Sequence, residues 1–262
     1  MTNNHSLKSS LLAQGTALAD RELLAGLPTR PVIVVVNGDK GGVGKSFGAR
    51  VAAGLLHRSG VNVHGFDCDA RNAHLDRYYS SSFPVTRVQL RRESGLEALF
   101  DRIEGHPDAL ALVDLPANIG DVIEREMPRL ISVADALKRP IIHVWVADEE
   151  YDSITLLKRV QHLAPPTHTL IVLNGRFAAS PREFRLWQES DVRAELIAGG
   201  ARETFLPVLP IRARTRIDRA RSPFHDVSAA GLQTWEKVDF NMWWSAAAHA
   251  FAPLLQMVKE SK

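Results

Sequence analysis

Val32-Ile33-Val34-Val35-Val36 runs into Asn37-Gly38-Asp39-Lys40-Gly41-Gly42-Val43-Gly44-Lys45-Ser46, and Ala49 to His57 follows with helical character before Gly60. An apolar strand, a glycine-rich loop and a helix therefore stand in that order. Glycines let backbone amides turn inward and approach a polyphosphate closely, and a following helix N-terminus adds partial positive charge. In such a loop Lys45 reaches the β and γ phosphates and the Ser46 hydroxyl ligates Mg²⁺. The general pattern G-x-x-x-x-G-K-[ST] has glycine where this chain has Asp39, so the loop is a variant, and what the variant adds is a second lysine, Lys40.

Outward from the loop, apolar runs of strand length recur at Val61 to Phe66, Ala109 to Val113, Ile141 to Val146, Leu170 to Leu173 and Phe205 to Leu209, with helix-length segments between them. Short, nearly continuous apolar strands alternating with helices are what a parallel sheet buried on both faces requires. The spacing predicts an α/β fold: a doubly wound, mostly parallel sheet with helices on both faces. A chain of 262 residues suits one large domain, over 30–262, with residues 1–29 as an N-terminal extension. In that extension Leu7, Leu11, Leu18 and Leu23 are spaced for a weakly amphipathic helix, packed on its own core or left in a partly disordered tail. Near the other end Phe240, Trp243, Trp244, Ala247, Phe251, Leu254, Leu255 and Val258 follow helical spacing, and Pro253 is expected to kink or interrupt that helix. The segment lacks the lysine-rich polar face of an interfacial anchor, which favours core packing over a membrane or partner contact.

The apolar runs are too short to cross a bilayer, and Met1 to Ser10 does not resemble a signal peptide, so a cytoplasmic protein with no transmembrane segment is expected. A single cysteine, Cys68, excludes internal disulfides and any multi-cysteine metal or cluster site built by one chain. The formal net charge of +2 does not diagnose nucleic-acid binding, which must be argued from the placement of arginines.

Two further strand ends carry acids. The run Val61 to Phe66 delivers Asp67-Cys68-Asp69-Ala70-Arg71-Asn72-Ala73, and Ala109 to Val113 delivers Asp114-Leu115-Pro116-Ala117-Asn118-Ile119-Gly120. Carboxyl ends of strands are where open α/β sheets hold ligands. A lone Asp-x-Asp or a strand-terminal aspartate also serves as an ordinary turn residue, and its meaning here comes from recurrence beside a phosphate loop.

Lys40-Gly41-Gly42-Val43-Gly44-Lys45-Ser46 resembles the deviant Walker A motif of the ParA/MinD family of P-loop ATPases, and the likeness spans roughly residues 31 to 225. The resemblance implies ATP and Mg²⁺ as cofactors and an ATP-dependent sandwich homodimer, in which Lys40 crosses the interface to the other subunit's phosphates. It implies nucleotide contacts from Lys40, Gly41, Gly42, Val43, Gly44, Lys45, Ser46 and Phe47. The segment after the second strand resembles switch I, which implies a magnesium-shell role for Asp67 and a water-orienting role for Asp69. The third resembles Walker B merging into switch II, with Asp114 holding a magnesium-bound water and Pro116 to Gly120 responding to the γ-phosphate. Metal contacts are thus implied for Ser46, Asp67 and Asp114, and catalytic roles for Lys40 and Asp69. Leu170-Ile171-Val172-Leu173-Asn174 resembles the strand whose terminal asparagine touches adenine, and Leu209-Pro210-Ile211-Arg212 a segment lining the base. The chain departs from the family pattern at Asp39, at Phe47 and at Ala70-Arg71. Cys68 reads as a small buried filler.

These parts add up to slow ATP hydrolysis coupled to dimerisation, stimulated by a protein partner and used to position DNA or a protein complex in plasmid partition or conjugal transfer. The alternative is a nucleotide-binding scaffold of a secretion or conjugation complex with little hydrolysis. Arg212, Arg214, Arg216, Arg219 and Arg221 form a dense basic run, read either as a non-specific DNA surface or as a solvated helix face. One cysteine disfavours a nitrogenase-reductase-like electron carrier. Only Tyr78, Tyr79 and Tyr151 are present, which disfavours a tyrosine kinase with a tyrosine-rich tail. A small-molecule ligase or kinase has no positive argument.

Overall fold

The computed structural model describes residues 31–38, 40–92 and 94–261. The expectations for the extension, with Leu7, Leu11, Leu18 and Leu23, and for Asp39 lie outside the described residues. The strands are β1 (Ile33–Asn37), β2 (Val63–Asp67), β3 (Val85–Arg87), β4 (Leu110–Asp114), β5 (Ile141–Ala147), β6 (Thr169–Asn174) and β7 (Arg202–Leu206). All pair in parallel, in the order β3-β2-β4-β1-β5-β6-β7, as the doubly wound reading requires.

The helices are α1 (Lys45–Arg58), α2 (His74–Tyr79), α3 (Gly95–Glu104), α4 (Gly120–Ala136), α5 (Tyr151–Val160), α6 (Arg185–Gln188), α7 (Asp191–Ala198), α8 (Ile211–Ala220) and α9 (Thr234–Glu260). Alternate residues of the inner strands enter two separate cores. Val32, Val34 and Val36 pack with α1, α2, α8 and α9. Ile33 and Val35 pack with α3, α4, α5 and α7. Burial on both faces is why these strands read as unbroken apolar runs.

Two strands differ from expectation. β7 is Arg202–Leu206, not Phe205 to Leu209, because Pro207 has no N–H to extend a ladder. Its first four residues are only half buried, so the apolar signal began late. The edge strand β3 is three residues long and partly exposed, too short to register as an apolar run. The C-terminal stripe packs in the core, as its spacing predicts, with Phe240, Trp243, Trp244, Ala247 and Phe251 buried. Pro253 does not interrupt α9, which continues from Thr234 to Glu260. The carbonyl it leaves without an intrahelical partner is that of His249, an exposed residue, where water can satisfy it.

Candidate nucleotide-binding site

The phosphate loop leaves the carboxyl end of β1 between β4 and β5, the topological switch point of the sheet. At Gly44 φ is 102°, a left-handed conformation costly to any other residue, and a Cβ there would collide with the Asn174 amide. Asn174 at the end of β6 donates through Nδ2 to the Val43 carbonyl (2.7 Å) and accepts from the Arg176 amide (3.1 Å). Its side chain thus fastens the phosphate loop to β6, a bracing role that strand-end position alone does not reveal.

A cavity of about 410 Å³ opens over the loop. That lies within the roughly 300–1,000 Å³ typical of small-ligand sites. Gly41, Gly42, Gly44, Lys45, Ser46 and Phe47 line it, together with Asp69 and Asn174. Val43 is buried and presents no lining surface. Arg212 is exposed and does not line the cavity, whereas Arg214, one helical half-turn on, does.

The Lys45 ammonium donates to the Lys40 carbonyl (2.7 Å) and is almost wholly buried. The Lys40 side chain leaves the loop and reaches Asp148 Oδ2 (2.8 Å) and Glu150 Oε2 (2.6 Å), in the turn between β5 and α5. Hydrogen bonds to these two carboxylates hold its ammonium well above the usual lysine range.

Asp67 and Asp114 are register partners on β2 and β4, about 4.8 Å apart along the sheet, with side chains on the α1 face. Asp114 is fully buried, and neither carboxylate oxygen has an aligned hydrogen bond. Burial first, and then the Asp67 charge, push its pKa up to about 8, while nearby Ser46 and Lys45 moderate the shift. Asp67 is also raised by burial, to about 6. Its oxygens accept from the backbone amides of Asp69 (3.2 Å) and Asp76 (3.0 Å). It therefore shapes the turn into α2 as well as facing Asp114. Asp69 accepts from the amides of Arg71 (2.9 Å) and Asn72 (3.0 Å) and lines the cavity.

Magnesium keeps several waters and uses few direct protein ligands. A buried carboxylate without an aligned donor, beside the Ser46 hydroxyl, fits a hydrated ion of that kind. Among the described residues no group of three or more His, Cys, Asp or Glu forms a closed metal cage.

Arg50, Asn72, His74 and Arg176 also line the cavity and escaped the sequence reading. Arg50 is the sole charge between Gly48 and Leu56, the one local signal available. Its guanidinium is buried between the rings of Tyr78 (3.5 Å) and Phe224 (4.3 Å) and pairs with Asp218 (3.0 Å). Tyr78 donates to the same carboxylate (3.0 Å), and Arg214 approaches its other oxygen (3.5 Å). Asp218 therefore ties α1, α2 and α8 together. Phe47 continues this layer, edge-on to Phe224 with centroids 5.3 Å apart.

The basic run is divided by these contacts. Arg214 faces the cavity, and Arg216 pairs with Glu236 (2.7 Å) on the first turn of α9. Arg212, Arg219 and Arg221 are exposed and make no ion pair among the described residues. No helix of the described residues is long and apolar enough to cross a membrane.

No family model matches the chain. Protein MobD of Acidithiobacillus ferrooxidans is 24% identical over 211 residues, covering 80% of this chain and 92% of that protein. A nucleotide-binding protein from Archaeoglobus fulgidus, solved in complex with ADP, gives a TM-score of 0.45 at 17% identity, covering 72% of this chain and 86% of the other. The strand order and the loop at its switch point make this an α/β fold of the P-loop nucleotide-binding type.

Proposed function

We propose that the chain binds Mg-ATP in this cavity, forms an ATP-dependent sandwich dimer and hydrolyses ATP slowly, its nucleotide state positioning DNA or a protein complex in plasmid partition or conjugal transfer. One observation carries the reading. The glycine loop with Lys45 and the buried carboxylate of Asp114, which has no aligned donor, end neighbouring strands in register, on the face where Ser46 opens α1.

In this reading Lys45 exchanges the Lys40 carbonyl for the β and γ phosphates, and the loop amides hold the phosphate oxygens. Ser46 and Asp114, with Asp67 behind, would hold a hydrated magnesium ion that neutralises phosphate charge. Asp69, anchored to the turn by its accepted amide bonds, orients water toward the γ-phosphate. Lys40 acts on the partner subunit's nucleotide. Phe47, Asn174, Arg176 and Arg214, which line the same cavity, would face the nucleoside.

Calorimetry with Mg-ATP tests the binding step: wild type binds, and Lys45→Ala loses the phosphate contribution. Light scattering and phosphate release on the same samples test the rest. ATP bound without dimer or turnover would replace this reading with a nucleotide-binding scaffold.

A further inference from the structure

Lys40 is tied at both of its ends. Its backbone carbonyl accepts the Lys45 ammonium (2.7 Å), and its own ammonium spans Asp148 and Glu150. The two acids differ in kind. Asp148 is buried, and its carboxylate is divided between two tasks. Oδ1 accepts from the Ser153 hydroxyl (2.6 Å) and the Glu150 amide (3.2 Å), which fixes the entry to α5, while Oδ2 meets Lys40. Glu150 has a side chain 59% exposed and adds a second, solvated contact. A buried carboxylate needs a partner, so Asp148 opposes the departure of Lys40.

We propose that Asp148 and Glu150 form an intramolecular latch that holds Lys40 in cis, so that ATP-driven dimerisation proceeds by transfer of Lys40 from this acid pair to the partner subunit's triphosphate. The inference rests on the dimerisation reading above and adds its control element. Nucleotide entry works on the latch through the same residue. When Lys45 turns to phosphate it abandons the Lys40 carbonyl, removing one of the two ties that set the position of residue 40. A triphosphate then competes with the two carboxylates for the freed ammonium, and a diphosphate, which has no γ-phosphate, competes less well. The latch is thereby a reason for a monomer without ATP.

Glu150→Gln is the first variant, because an exposed side chain can be changed without disturbing the core. An exposed ion pair contributes about 0.2–1 kcal/mol, which corresponds to roughly a 1.4- to fivefold change for each latch opened. Two latches open in each dimer, so the protein concentration at half-dimerisation in saturating Mg-ATP should fall by about two- to thirtyfold, and by more in Asp148→Asn/Glu150→Gln, with ADP affinity unchanged. A second readout does not depend on dimerisation. In ¹³C-dimethyl-lysine NMR of the nucleotide-free monomer, the resonance missing from Lys40→Arg should titrate above the ordinary lysine range and move down in Glu150→Gln. Weaker dimerisation of Glu150→Gln would place the acids' action within the dimer and overturn the latch. A Lys40 resonance that titrates like the other lysines would overturn it as well, even where the ATP dimer forms. A wild type that binds ATP and stays monomeric would remove the dimerisation reading and the control role together, while a shifted Lys40 resonance would still establish the acid pair's hold.

Discussion

At Asp114 the chain keeps a fully buried carboxylate with no aligned donor, a costly arrangement unless a cation completes it. Burial raises its pKa to about 8, so near neutral pH the fold must protonate a group that is ionised in the unfolded chain, and Asp114→Asn removes that cost while keeping the shape. The nucleotide-free protein should become more stable by on the order of 1–3 kcal/mol, read as a higher melting temperature without magnesium. The same substitution should abolish the stabilisation that Mg-ATP gives wild type. A variant that melts below wild type without ligand would show that Asp114 is satisfied in the free protein. Asn174 makes a different argument, since its amide holds the phosphate loop from outside by the bond to the Val43 carbonyl. Asn174→Ala loses one buried hydrogen bond of about 0.5–1.5 kcal/mol. ATP affinity should fall by roughly two- to tenfold in calorimetry, for ADP as much as for ATP. A loss confined to one nucleotide would contradict a bracing role.

Among the elements, β5 carries a further consequence of burial on both faces. His143 is buried with neither ring nitrogen hydrogen-bonded, and burial lowers its pKa to about 4. A histidine lowered in the fold is neutral in both states above its ordinary pKa. Below about 6.5 the unfolded chain takes up a proton that the fold refuses, so stability falls until the pH reaches about 4. The slope approaches about 1.4 kcal/mol per pH unit. Chemical denaturation of His143→Leu between pH 7.5 and 4.5 should therefore show a smaller loss than wild type, and equal losses would mean that His143 is protonated in the fold. Legibility follows the same physics. The doubly buried strands and the acids at their ends are local patterns, and β1, β2, β4 and β6 fall close to where the apolar runs put them. β3 and β7 lie at the sheet edges, where half-exposed residues dilute the pattern. The cavity wall was least legible because its parts meet from distant segments: Arg50 finds Asp218 168 positions along the chain. The Lys40 latch is invisible for that reason too, since Asp148 and Glu150 belong to the turn after β5.

For the whole molecule, the proposed DNA surface depends on which arginines the fold leaves exposed. The run reads as five equivalent cations in the sequence, and the fold makes them unequal. Arg214 and Arg216 are engaged with Asp218 and Glu236, and Arg214 also faces the cavity. Arg212, Arg219 and Arg221 stay exposed. Neutralising a phosphate releases counterions, so each arginine that does so steepens the fall of affinity with salt by about 0.9 in a plot of log K against log salt. The proposed dimer would present two such sets together and turn weak binding into avidity. If the ATP-bound dimer binds DNA through this surface, replacing Arg212, Arg219 and Arg221 with Gln should flatten that plot by about 0.9 for each phosphate these side chains neutralise, while Mg-ATP affinity stays at the wild-type value. Arg214→Gln should behave differently. It loosens the link through Asp218 to Arg50 on α1 and alters the cavity, so ATP affinity should change before any salt dependence does. Anisotropy titrations of duplex DNA over a salt series, with ATP and with ADP, separate the two sets. Duplex binding that is absent at low salt with ATP would remove the DNA surface and leave the exposed arginines to an acidic protein partner.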